Sequence, residues 1–252
     1  MLSVPFVSSA DDSAADLQET GRLLIILLDS GRVTIGRSQA LLNDASKADK
    51  GFTPEVFASQ TLAEFKTRTG YDLNDPTHAQ IPAMAKPLLE RLLEESKKTV
   101  ASYQTVLNMP GLGYKGLIPA TFGTETGTRF QNWSGLYLKQ TAPERFLRNP
   151  KNKPDPFEAA EMEKLAKSGV PRDGKQIVTE LSGDGKSVRV LLPLFYETSC
   201  LSCHGTPKGE RDITGYPREG GHEGDLGGVI SVKIEQNRAG APPIADHQPG
   251  SR

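Results

Sequence analysis

The apolar pattern of the chain changes period near residue 110, and that change limits the folds open to it. Upstream, apolar residues recur at helical spacing. Between Ala14 and Asn43, Leu17, Leu24, Leu27, Leu28, Ile35 and Leu42 fall near one stripe, which Gly21, Gly31 and Gly36 weaken as a helix. Thr53 reads as an N-cap before Pro54, and Val56, Phe57, Ala63 and Phe65 form the buried face of a helix that stops at Gly70. A third helix is expected from Ile81 to Leu107, starting or bending near Pro87.

Downstream of Met109, glycine, proline and aromatic residues become frequent and the apolar runs shorten. A short helix over Ala120–Asn132 and a strand over Leu136–Gln140 come first. The stretch RNPKNKPDPFEA, Arg148 to Ala159, carries three prolines that exclude regular structure until Pro156 opens a helix to about Ser168. Strands at Ile177–Leu181 and Ser187–Phe195 flank an Asp184-Gly185 turn, and a last strand covers Gly228–Ile234. The chain therefore reads as α+β. Residues 13–110 form a helical N-terminal half and 111–235 a small antiparallel sheet. Residues 1–12 are a signal remnant or disordered start, and 236–252 a disordered tail.

The only two cysteines stand in SCLSCHGTP, where Cys200, Cys203 and His204 follow one another at i, i+3 and i+4. A chain of 252 residues buries a core without staples, so stability does not explain the pair. A disulfide across so short a loop stabilises little. Zinc needs four ligands, and the chain adds only His78, His222 and His247 to the motif. A thioredoxin-like pair opens a long helix, whereas Gly205 and Pro207 break this one at once. A covalently attached haem asks for this spacing. Two sulfurs bond the former vinyl groups, the histidine supplies an axial nitrogen, and one short helical turn presents all three on one face.

The formal net charge of -1 gives no reason to expect nucleic acid or an anionic membrane as partner. The apolar run Leu23–Leu28 is far shorter than the ~20 residues of a spanning helix, so no transmembrane span is expected. MLSVPFVSSA, with Ser8 and Ala10 at small-residue positions, resembles the end of a secretory signal and implies an exported, periplasmic setting.

Several longer stretches carry a family resemblance. They are GRVTIGRSQALLND (Gly31–Asp44), YKGLIPATFG (Tyr114–Gly123), RNPKNKPDPFEA, CLSCHGTPKGE (Cys200–Glu210) and DITGYPREGGHEGDLGGVISV (Asp212–Val232). In this order they resemble the Tll-like c-type haem domains, formerly a domain of unknown function. The resemblance implies one covalent haem c on a PAS-like fold with a five-stranded antiparallel sheet and, in many members, an N-terminal helical arm. Some members take a second axial ligand from an upstream cysteine. By chain order that position falls near Pro119–Phe122, where no side chain suits iron, so the inherited ligand is absent here.

Around this motif, His204 is the expected axial ligand, with His222 or Met109 as candidates for the second position. Arg148 and Asn152, with Asn149, are candidates for the propionates, Phe195 and Tyr196 for the macrocycle face, and Tyr114 and Lys115 for a distal wall. Gly183–Gly185 lacks the features of a phosphate loop, and no catalytic constellation is visible, so no enzyme is expected. Two roles stay open. One is a sensor of redox state or of a diatomic gas such as NO or CO, acting on a separate signalling protein. The other is a periplasmic electron carrier with a redox partner. The apolar stretch IPATFG in place of the missing ligand favours an open sixth position and hence the sensor.

Overall fold

The computed structural model describes residues 13–75, 81–167, 176–182 and 186–236. Helix α1, Ala14–Arg37, starts at a capping box in which Ser13 and Asp16 satisfy each other's backbone N–H groups. It is buried on nearly every side, with Leu23 through Leu28 all inside. It lies between the sheet and helices α3 (Pro54–Thr69), α4 (Ala85–Leu107) and α5 (Pro119–Ser134), and a four-residue helix α2, Gln39–Leu42, follows it. The continuous helix expected to Asn43 therefore breaks at Ser38, whose N–H reaches the last carbonyls of α1.

The glycines read as weak points of α1 are contact points. A Cβ on Gly21 would stand 2.7 Å from Val190 Cγ2, and one on Gly31 2.6 Å from the Phe122 ring. The missing side chains let the helix sit directly on the sheet and on α5.

Thr53 caps α3 by accepting from Val56 N–H, and Gly70 closes it at φ +79°, as the sequence indicates. Of the expected buried face, however, only Phe57 and Phe65 are inside, with Ala58 and Thr61 beside them, while Val56 and Ala63 are exposed. Helix α4 starts at Ala85 rather than Ile81 and buries Leu89, Leu92, Ser96, Thr99, Val100 and Leu107 along one stripe. Pro119 opens α5, and Phe122 is wholly buried against Phe57, ring centroids 5.2 Å apart. IPATFG thus turns its one aromatic into the helical core, because Gly31 leaves the space for it.

The sheet is antiparallel with the order β1-β4-β3-β2, where β1 is Tyr137–Thr141, β2 Val178–Leu181, β3 Ser187–Phe195 and β4 Leu226–Glu235. Four strands stand among the described residues where the resemblance implied five. The period-2 alternation of β3 and β4 sorts their side chains. Val188, Val190, Leu192, Ile230, Val232 and Ile234 join α1 and the other helices in one core. On the opposite face, Leu191 and Val229 meet Met162 and Leu165 of α6, Pro156–Lys167. The change at residue 110 is therefore a change of texture within one shared core.

Helix α6 closes the proline-rich stretch with a second capping box. Asp155 and Glu158 accept from each other's backbone N–H groups, both at 2.8 Å, with Pro156 at the first helical position. The Asp184-Gly185 turn, His78, His247, residues 1–12 and residues 237–252 lie outside the described residues. Among the described residues no helix is long and apolar enough to cross a membrane.

Candidate functional site

The cysteine motif fills the connection between β3 and β4. A 3-10 turn, Thr198–Cys200, runs into the single turn α7, Leu201–His204, so Cys200, Cys203 and His204 come from one continuous coil of backbone. Both cysteines are half-buried and unjoined. Gly205 ends the turn where a Cβ would press into the Leu201 carbonyl at 2.5 Å.

Four consecutive carbonyls at and just past the end of this turn receive donors. Arg148 Nη2 donates to Cys203 O at 2.8 Å, and Gly221 N–H to His204 O at 2.7 Å. Gly220 N–H reaches Gly205 O and Arg218 reaches Thr206 O, at 3.2 and 3.0 Å. Two helix-end acceptors and the two carbonyls that follow are thus satisfied by a distant arginine and a returning loop, which fixes the turn in place.

Arg148 is the hub of an ionic cluster. Its Nη1 donates to Asp212 Oδ2 at 2.6 Å, its Nε to Glu219 Oε1, and its Nη2 to Glu219 Oε2 at 3.0 Å. Glu219 Oε2 also meets His204 Nδ1 at 2.9 Å. Burial opposes ionisation of both carboxyls, but their hydrogen bonds prevail. Thr214 and Arg148 hold Asp212 at about 2, and Arg148 and His204 hold Glu219 below its usual value. Burial, aided by the Arg148 charge, lowers His204, so the imidazole is neutral at neutral pH. A carboxylate only accepts, so Nδ1 carries the proton and Nε2 keeps its lone pair. Burial also pushes the Cys203 thiol up, which makes it a poor thiolate for redox exchange.

Tyr196, at the end of β3, stacks on His204 with centroids 4.9 Å apart and planes 19° from parallel, and Phe146 packs on it at 5.3 Å. Gly221 and Gly227 exist for this ring. A Cβ on either would collide with it, at 2.8 Å for Gly221. The glycine-rich REGGHEGDLGG is therefore the slot of Tyr196. Phe195, one residue earlier, packs with Met162, Leu165 and Leu226 on the α6 face of the sheet.

The other sequence candidates scatter. Asn152 is buried away from the motif, exchanging hydrogen bonds with Thr124 of α5 while its carbonyl accepts from Thr141. The expected propionate role of Arg148 and Asn152 thus meets side chains already committed to protein partners, and Asn149 caps its own turn through Lys151 N–H. His222 is 75% exposed, with Asp225 3.7 Å from its Nδ1. Met109 is 46% exposed just after α4, and its carbonyl accepts from the buried Lys115. Tyr114 does share a neighbourhood with Cys203 and Asp212: burial first, then the charges of those two, raises its hydroxyl pKa. Glu219, Asp212 and Tyr216, which lies under Arg148 at 5.6 Å, were not singled out from the sequence.

Fold and site together define an α+β protein whose Cys-x-x-Cys-His turn is clamped between sheet strands by an arginine–carboxylate cluster. The chain belongs to the Tll0287-like family, whose model matches residues 18–235. The crystal structure of the cyanobacterial haem protein Tll0287 is 20% identical, with a TM-score of 0.41, over 60% of this chain and 91% of that one. No curated protein matches the chain.

Proposed function

We propose that this protein carries one haem c covalently through Cys200 and Cys203, with His204 as an axial ligand. The observation that carries the reading is the 2.9 Å contact of His204 Nδ1 with Glu219 Oε2, which commits that nitrogen to a carboxylate and leaves Nε2 as the ligand atom. The donor set fits the group. The thiols are free, Cys203 is protonated, and a tyrosine ring and a neutral imidazole supply an aromatic neighbourhood. Each thiol adds across one vinyl group, sulfur to one carbon and hydrogen to the other, so attachment needs no oxidant. Bound haem supplies a redox-active iron that takes axial ligands. Among the described residues no three His, Cys, Asp or Glu side chains gather as ligands of a bare metal ion.

The role proposed is binding and relay in an exported setting, not catalysis: a sensor of redox state or of NO or CO. The packing supports it, because β3 and β4 both flank the motif and carry α1 at Gly21, so a shift of the turn is felt by the longest helix. Electron transfer is the alternative, and it requires a second strong ligand, for which the exposed His222 and Met109 are the candidates.

The test is expression in cells able to mature c-type cytochromes. The purified chain should stay red after acid-acetone extraction and stain for haem on a denaturing gel, while Cys200→Ser with Cys203→Ser should not. Colourless wild-type protein ends the reading. Ferrous spectra with and without CO then separate the roles, with a prompt shift for an open site and none for a carrier.

A further inference from the structure

We infer that Glu219 is the positioning residue of the His204 ligand and that Arg148 holds Glu219 in that task; the inference rests on the haem reading above. The contact is made by one atom. Oε2 faces His204 Nδ1 at 2.9 Å and Arg148 Nη2 at 3.0 Å, while Oε1 takes Arg148 Nε. The guanidinium fork fixes the plane of the carboxylate, and the carboxylate fixes the imidazole. Arg148 is itself immobilised by Asp212 and by the Cys203 carbonyl, so the ring orientation is set from the same hub that holds the motif backbone. Tyr196 confines the ring from its flat side.

Two consequences follow from this geometry. The first is a tautomer: an ionised carboxylate can only accept, so it selects the Nδ1–H form and leaves Nε2 to bind. The second is donor strength. A carboxylate on Nδ1–H raises the basicity of Nε2, which favours ferric over ferrous iron and lowers the reduction potential. Arg148 moderates this by sharing the negative charge.

Glu219→Gln tests both at nearly constant shape. The amide has one oxygen where Arg148 donates to two. Keeping that oxygen on Arg148 Nε turns the NH2 toward His204 Nδ1, which must then accept. Nitrogen-15 NMR of the full apo chain should show His204 as the Nδ1–H tautomer in wild type and in Glu219→Asp, and shifted toward Nε2–H in Glu219→Gln. In the haem-loaded chain the reduction potential should rise in Glu219→Gln and Glu219→Ala and return toward wild type in Glu219→Asp. A wild-type His204 protonated at Nε2 overturns the inference, as does an unchanged tautomer and potential in a folded Glu219→Gln. If wild type takes no covalent haem, the reading of function fails, and the apo tautomer still decides whether Glu219 positions His204.

Discussion

The ring of Tyr196 lies 4.9 Å from the imidazole of His204 and within 19° of parallel to it. Two glycines make that stack possible. Gly221 and Gly227 approach the opposite parts of the tyrosine so closely that neither tolerates a Cβ, and Gly221 also donates its N–H to the His204 carbonyl. One loop therefore holds both the ligand candidate and the ring against it.

Gly227→Ala should consequently displace Tyr196. Forcing a methyl into a filled space costs about 1–3 kcal/mol, and urea unfolding monitored by far-UV circular dichroism should read a loss in that range. The smaller Tyr196→Leu, combined with Gly227→Ala, should recover part of it. Equal midpoints for Gly227→Ala and wild type would show that the ring is not confined.

A second dependence lies at the start of α6. Glu158 is completely buried and accepts from Tyr137 Oη at 2.7 Å, Lys139 Nζ at 3.0 Å and its capping partner Asp155 N–H. Arg189 Nη2 stands 3.4 Å away. Glu158→Ala takes from Lys139 its carboxylate and from α6 one half of its capping box, while Arg189 keeps Asp155 at 2.8 Å. Breaking a buried pair in this way costs about 3–5 kcal/mol. The surface pair Lys167–Glu163 on the same helix should be worth well under ~1 kcal/mol. Calorimetric melting of Glu158→Ala and Glu163→Ala should separate them widely; similar melting points would remove Glu158 from its structural role.

How far the sequence reaches is visible in these residues. The limits of β3, the cap and stop of α3 and the position of the motif between β3 and β4 depend on local period and turn chemistry, and all are found where the sequence puts them. The guanidinium of Arg148 was legible as a partner for carboxylates, but Asp212 and Glu219 are 64 and 71 residues away, and no spacing rule links them to it. Tertiary packing alone decides such pairs. The same holds for Gly21 and Gly31, which helix propensity penalises and the opposing Val190 and Phe122 require.

The glycines of α1 give predictions of opposite sign. Gly31→Ala gains about 1 kcal/mol of helix propensity, but its methyl meets Phe122 at 2.6 Å in a core without slack, where overpacking costs about 1–3 kcal/mol. The net effect should be destabilising. Gly36→Ala meets only Pro119 Cγ at 3.5 Å, an ordinary contact, and should keep most of the ~1 kcal/mol gain. Chemical denaturation should move the two midpoints apart around wild type, and a stabilising Gly31→Ala would contradict the packing.

Asp212 makes the protein sensitive to acid. Burial alone would raise its carboxyl, but the hydrogen bonds from Thr214 and the Arg148 charge hold it at about 2 in the folded chain, below the ordinary aspartate value of 3.8. The folded state thus binds this proton less readily than the unfolded state, and stability rises with pH wherever the unfolded state holds more protons. The contribution is fully present above the unfolded value of 3.8 and is lost as pH falls through about 2. Glu219, also lowered, acts in the same direction. Asp212→Asn keeps the shape but has no proton to exchange, so its urea midpoint should lie below wild type at pH 6 and approach it as pH falls to about 2. A midpoint difference that stays constant from pH 6 to pH 2 would show that Asp212 contributes by shape and not by charge.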